Sequence, residues 1–253
     1  AISGIGAVCH TINPRLSSDQ LTYIVNHAED LLLFVDLTFV PILEAVKDRL
    51  PLEMKIIILT DKKHMPKTSL KSMCYEELLK DKPQKINWPD FNEDTAASLC
   101  YTSGTTGEPK GTLYSHRSTV LHAMMLAISL PDALKEGKKI LPVVPLFHVN
   151  AWGLPYAAPL TGAGLVFPGP KLDGDSLFNL METEKVYSAW GVPTVWLNLL
   201  QTISRKQRPP VGFGDVVIGG ASAPRAMIED FEKLNINVCH AWGMTEMSPV
   251  GTQ

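Results

Sequence analysis

Cysteine is scarce in this chain. Cys9, Cys74, Cys100 and Cys239 are the only four among 253 residues, and no two stand at C-x-x-C spacing. That argues against a disulfide scaffold and a zinc ribbon, and for reduced thiols mostly buried in apolar surroundings. Charge of one sign is lacking too: 23 basic and 26 acidic residues leave a net charge of −3. With no basic stretch interleaved with aromatics, nucleic acid is not an expected partner. No signal-peptide pattern is recognisable, and a cytoplasmic location is expected. From Ile140 to Pro170 there is no Asp, Glu, Lys or Arg at all, which invites a membrane reading. Pro142, Pro145, Pro155 and Pro159, with Gly153 and Gly162, would break a spanning helix. The stretch reads instead as the core of a globular domain, able to wall an apolar tunnel.

What the chain does have is a run suited to phosphate. Tyr101 to Gly111 reads YTSGTTGEPKG. Gly104 and Gly107 let the backbone turn so that N–H groups face one concavity, Ser103, Thr105 and Thr106 add short hydroxyl donors, and Lys110 brings a flexible positive charge. The apolar run Ala96 to Cys100 before it reads as a buried strand, and His116 to Leu130 after it as a helix, so the loop sits at a strand end. A Walker loop is excluded by spacing. That motif needs Gly-Lys-Ser/Thr, and here Pro109 precedes Lys110 and Gly111 follows it. His116 and His122, six positions apart, share no helical face and are discounted as a metal pair.

The wider pattern is an alternation of strands and helices. Ala7 to Ile12, Leu31 to Val35 and Lys55 to Leu59 read as strands, with helices at Ser18 to Ala28 and Val40 to Arg49. Strands resume near Ala96, Ile140 to Val144, Leu165 to Pro168, Val186 to Ala189, Val216 to Ile218 and Val238 to His240. The expectation is an α/β fold of parallel sheets flanked by helices, in two doubly wound regions over about 1–60 and 96–253. Between them 61–95 is polar, with seven lysines from Lys62 to Lys85 and one short helical pattern at Tyr75 to Leu79. It is expected to be an exposed connecting excursion.

The glycine-rich run resembles the phosphate loop of the adenylate-forming enzymes, the superfamily of acyl-CoA synthetases, luciferases and peptide-synthetase adenylation domains. Two further segments carry the same resemblance, in order. His148-Val149-Asn150-Ala151-Trp152 is similar to the histidine segment beside the acyl pocket, and Ala241-Trp242-Gly243-Met244-Thr245-Glu246 to the adenine motif. Gly219-Gly220-Ala221 resembles the turn bordering the adenine. HVNAWGLPYA looks closer to medium- or long-chain fatty acyl-CoA synthetases than to luciferases.

The resemblance implies ATP-dependent activation of a fatty acid to acyl-AMP and then acyl-CoA, with ATP, magnesium (Mg2+) and coenzyme A taking part. The partners it implies are small molecules, with a homodimer left open. It places Thr102, Ser103, Gly104, Thr105, Thr106, Gly107 and Lys110 at the phosphates, and Gly220, Ala221, His240, Ala241, Trp242, Gly243 and Thr245 at the rest of the nucleotide. Thr102 and Glu246 fall on the metal side. His148 and Trp152 fall at the acyl group, Trp152 as a gate at the tunnel mouth. His148, Thr245, Glu246 and Lys110 are the catalytic candidates. In such enzymes further parts follow the adenine motif, including a small domain with a catalytic lysine. This chain is therefore expected to be an internal piece of the N-terminal domain, binding nucleotide weakly and turning over poorly by itself.

Overall fold

The computed structural model describes residues 1–102 and 107–252. It opens with β1 (Cys9–His10), α1 (Ser18–His27), β2 (Leu32–Val35), α2 (Val40–Val46) and β3 (Lys55–Ile58). α1 starts where local chemistry dictates: Ser17 Oγ accepts from the Gln20 N–H while the Gln20 side chain accepts from the Ser17 N–H, satisfying two otherwise unpaired donors. β2 and β3 pair in parallel, and β4 (Ser72–Cys74) adds a third parallel strand beside β3. The polar stretch after Asp61 is thus not wholly an exposed excursion. Its strand is too short, and too poor in apolar residues, for alternation to announce it. The helical pattern that follows forms α3 (Tyr75–Leu79).

β5 (Ala96–Tyr101) lies parallel to β1 and antiparallel to β6 (Gly111–Ser115). Parallel strands were expected here. The glycine-rich run instead joins an antiparallel pair, with Tyr101 opposite Gly111 and the Thr102 N–H donating to the Lys110 carbonyl at 2.9 Å. α4 (His116–Ser129) follows, its first turn capped by the Ser115 hydroxyl.

The remaining strands and helices alternate as the sequence implies: β7 (Lys139–Pro142), α5 (Leu154–Thr161), β8 (Gly164–Leu165), α6 (Gly174–Glu184), β9 (Ser188–Gly191), α7 (Pro193–Lys206), β10 (Asp215–Ile218), α8 (Arg225–Lys233) and β11 (Asn237–His240). They form one parallel sheet in the order β11, β10, β9, β7, β8. Period-two alternation divides its side chains between two cores. Ile140, Trp190 and Val217 pack with Leu126, Leu154 and Ala158, beneath α4 and α5. Leu141, Ala189, Val216 and Ile218 face the other way, onto Phe178, Trp196, Leu199 and Phe231 of α6, α7 and α8. Helices on both faces are what an all-parallel sheet requires.

The uncharged stretch supplies Ile140, Leu154, Ala157 and Ala158, all fully buried, and among the described residues no helix is long and apolar enough to cross a membrane. Of the four cysteines only Cys100 is buried; Cys9, Cys74 and Cys239 are partly exposed, so the expectation of mostly buried thiols holds for one. A short antiparallel pair, β12 (Trp242–Gly243) and β13 (Val250–Thr252), ends the described chain.

Candidate active site

At the C-terminal edge of the large sheet, where open α/β sheets hold ligands, lies a cleft of about 230 Å³. Two strand ends form its base. β10 runs out into Gly219 and Gly220, and β11 into Ala241 and Trp242. The chain after β7 brings His148 and Trp152 to one side, and the β12–β13 turn brings Thr245 and Glu246 to the other.

Glycine is required where these pieces meet. A Cβ on Gly219 would lie 3.1 Å from the Ala241 carbonyl oxygen and 3.1 Å from the Trp152 ring, so the tryptophan packs directly against the strand end. Gly243 is tighter still: a Cβ there would come within 2.1 Å of the Pro249 carbonyl oxygen, and the hairpin closes only without one. Trp242 is 57 % exposed although it is the largest side chain on this edge. Its ring rests beside Gly251, where a Cβ would meet it at 3.1 Å.

His148 enters the cleft through an unusual turn. Val149, Asn150, Ala151 and Trp152 all take left-handed conformations, with φ of 44°, 44°, 51° and 54°, at a cost of about 1–2 kcal/mol per residue. Buried anchors offset that cost. The Asn150 amide donates to Thr11 Oγ1 at 3.1 Å, its side-chain oxygen accepts from Cys100 Sγ at 3.4 Å, and Val149, Ala151 and Trp152 are buried. Phe147 and His148 face different cavities: Phe147 lines an apolar pocket with Leu33, Phe39 and Leu43, while His148 faces the cleft. His148 remains in contact with solvent, yet the protein around it desolvates the ring and lowers its pKa, favouring neutral imidazole.

The hairpin is tied down from behind. The Tyr114 hydroxyl donates to the Thr245 carbonyl, and His122 Nε2 accepts from the Val250 N–H at 3.2 Å. Burial lowers the His122 pKa to about 4, which keeps Nε2 an acceptor. Burial also raises the Tyr114 pKa, with the charges of Cys100 and Glu246 adding, so that its hydroxyl stays a donor.

The AMP-binding enzyme profile matches residues 1–253, the whole chain. The chain belongs to the AMP-binding enzyme family. It is 48 % identical over 256 residues to the medium-chain-fatty-acid–CoA ligase of Ectopseudomonas oleovorans, with 100 % of this chain and 46 % of that protein covered. It is 47 % identical over 256 residues to the 3-methylmercaptopropionyl-CoA ligase of Ruegeria lacuscaerulensis, covering 100 % of this chain and 47 % of that one. The chain thus spans about half the length of the curated relatives it matches. Among solved structures, the anthranilate CoA ligase AuaEII in complex with anthranoyl-AMP superposes with a TM-score of 0.85 at 21 % identity, over 98 % of this chain and 48 % of that one. At that identity the likeness concerns the fold.

Within this family fold, the structure brings His148, Trp152, Gly220, Ala241, Trp242, Gly243, Thr245 and Glu246 to one cleft. Other expected residues stand apart from its wall. Thr102, Gly107 and Lys110 belong to the β5–β6 hairpin of a different sheet, and Lys110 is exposed. Ser103, Gly104, Thr105 and Thr106 lie outside the described residues. Ala221 and His240 are exposed beside the cleft, where His240 Nε2 accepts from the Ala223 N–H at 3.3 Å. Trp152, expected as a gate at a tunnel mouth, is 6 % exposed and forms a floor beneath Gly219. Sequence reasoning missed Tyr114, His122, Asn150 and Gly251. Asn150 stands inside the histidine segment but with no role of its own there, and nothing near the other three signals one, because each acts on a residue distant in sequence or on a ring packed from the side.

Proposed function

We propose that this chain is the nucleotide-and-acid-binding part of an AMP-forming acyl-CoA ligase acting on fatty acids. The observation that carries the reading is the convergence of Trp242, Thr245, Glu246 and His148 on one cleft in a chain matched end to end by the AMP-binding family. The cleft suits an adenine nucleotide. Trp242 offers an uncovered ring for the base, worth about 1–3 kcal/mol in stacking, and Gly220 after β10 leaves exposed strand-end backbone beside it.

Activation joins a carboxylate oxygen to the α-phosphorus of ATP and breaks the bond to pyrophosphate, which leaves. The sulfur of coenzyme A then attacks the acyl carbon, loses its proton and expels AMP. Two anions must meet in the first step, so positioning and charge compensation supply most of the acceleration. On this reading Thr245 donates its hydroxyl to the α-phosphate, and Lys110 with the glycine-rich run holds the β- and γ-phosphates. Neutral His148 donates to the acyl carboxylate oxygens, and Trp152 bounds the apolar side.

Glu246 would hold magnesium, and the resemblance assigns Thr102, which lies outside the cleft wall in the β5–β6 hairpin, to the same ion. A single carboxylate suits that ion, which takes most of its oxygens from water and substrate phosphates. When bound, magnesium supplies neutralisation of phosphate charge.

Calorimetry tests the reading. Titrated with ATP and magnesium, then with a non-hydrolysable octanoyl-adenylate mimic, the protein is expected to prefer the mimic by roughly tenfold or more, because the mimic engages both halves of the site. Equal affinity would indicate a nucleotide-binding module without ligase chemistry. Preference for a methylthiopropionyl mimic would keep the chemistry and replace the fatty acid.

A further inference from the structure

The two ends of the glycine-rich hairpin meet at Tyr101 and Gly111, and four side chains without a role in the chemistry above gather there. The Tyr101 ring lies across Gly111 so closely that a Cβ on the glycine would sit 3.2 Å from ring Cζ. Its hydroxyl shares a 2.6 Å hydrogen bond with Nδ1 of His27, the last residue of α1. Its ring meets the imidazole of His10 from β1, centroid to centroid 5.2 Å. His10 is itself held, Nδ1 bonding both carboxylate oxygens of Asp30 at 3.0 and 2.9 Å. The His10 side chain is 6 % exposed, and its Nε2 is buried with no hydrogen-bond partner among the described residues. An unpaired buried polar atom costs free energy and calls for a reason beyond packing. One residue beyond Tyr101, the Thr102 N–H closes the neck onto the Lys110 carbonyl at 2.9 Å.

We propose that Tyr101 is a positioning residue that clamps this neck, held by His27 at its hydroxyl and by the His10–Asp30 pair at its ring, so that the backbone carrying Lys110 is fixed toward the phosphates. This rests on the nucleotide reading above. A lysine side chain is flexible, so the fold controls its reach only through the backbone from which it springs. A displacement of about 1 Å costs up to ~10²-fold where geometry governs rate. Each part of the clamp has a chemical reason. Glycine at position 111 leaves room for the Tyr101 ring beside it, where a Cβ would be crowded at 3.2 Å, and burial raises the Tyr101 pKa so that the phenol keeps its proton. Because β1 and α1 supply the grips, the N-terminal elements are coupled to the phosphate end of the site.

The test compares the wild-type chain with Tyr101→Phe, His27→Ala and His27→Gln. Three quantities are read: amide exchange at Thr102 without nucleotide, the dissociation constant of ATP with magnesium, and the melting temperature. Tyr101→Phe keeps the ring on Gly111 and deletes only the hydroxyl. We expect Tyr101→Phe and His27→Ala each to speed Thr102 exchange and weaken ATP binding on the order of fivefold, the scale of one lost hydrogen bond, with melting little changed. His27→Gln, whose amide still meets the phenol, should restore most of both. A purely packing role leaves Tyr101→Phe silent. Unchanged exchange or unchanged ATP affinity in that variant overturns the clamp, as does a failure of His27→Gln to restore either. Should wild type bind no nucleotide, the function proposed above falls, and faster exchange in Tyr101→Phe would still support the clamp.

Discussion

Trp242 stands on a strand end where a core residue would be covered, yet it is 57 % exposed. If it stacks on adenine, Trp242→Ala should weaken ATP binding by about 1–3 kcal/mol, roughly 5- to 150-fold, with melting nearly unchanged because little buried surface is lost. Trp242→Tyr should retain most of the affinity. Calorimetric titration of the two variants checks this, and equal behaviour of both would remove the ring from the nucleotide. Gly243 works in the opposite way. Gly243→Ala drives a Cβ into the Pro249 carbonyl at 2.1 Å, so the β12–β13 pair must open. Binding should then fall by more than tenfold, even with Trp242 and Glu246 intact. The expectation is chemical at the first residue and steric at the second.

Between elements, α6 approaches α7 closely. Gly174 begins α6 beneath the backbone of α7, and a Cβ on it would lie 2.2 Å from the Asn198 carbonyl oxygen and 2.5 Å from Thr202 Oγ1. Overpacking of this kind typically costs 1–3 kcal/mol. Gly174→Ala should lower the free energy of unfolding by that amount, read as a lower urea midpoint at unchanged slope, while leaving ligand affinity within about twofold, since the pair lies on the sheet face away from the His148 turn. The link from β6 to the site behaves differently. Tyr114→Phe deletes the hydroxyl that holds the Thr245 carbonyl, a change of about 1 kcal/mol in stability. It should raise the exchange rate of amides over residues 244–247 more than elsewhere, and hydrogen-exchange mass spectrometry reads that contrast directly. Nothing in the sequence marks Gly174 or Tyr114 as special. Their meaning comes from the partners the fold brings to them.

For the molecule as a whole, acid stability should carry the mark of His122. Burial takes its folded pKa from 6.5 to about 4, so between those values the unfolded chain binds more protons than the folded one. Stability is therefore fully present above pH 6.5 and lost as pH falls toward 4, by on the order of 3 kcal/mol at the limit. His148, lowered by desolvation, acts in the same direction. Asp215 acts in the other: burial raises its pKa despite hydrogen bonds from Ser188 and Asn237, so its contribution is present below its unfolded pKa and lost as pH rises through the folded one. His122→Gln, which keeps an acceptor for the Val250 N–H, should flatten the decline of the melting temperature between pH 6.5 and 4. An unchanged slope would show that His122 charges without cost.

The sequence by itself determined the alternation of elements and both faces of the large sheet, because hydrophobic period is a local property, and its resemblance to the adenylate-forming enzymes pointed to the segments that supply His148, Gly220, Trp242 and Glu246. It did not reveal β4, whose three residues carry too little pattern, nor β6, whose antiparallel pairing depends on a partner across the glycine-rich run. Only the tertiary structure decided that Trp152 is a floor, that Lys110 and His148 rise from different sheets, and that Tyr114 and His122 hold the hairpin bearing Glu246. Each of those facts is a contact between residues far apart in the chain, and sequence spacing carries no record of such distances.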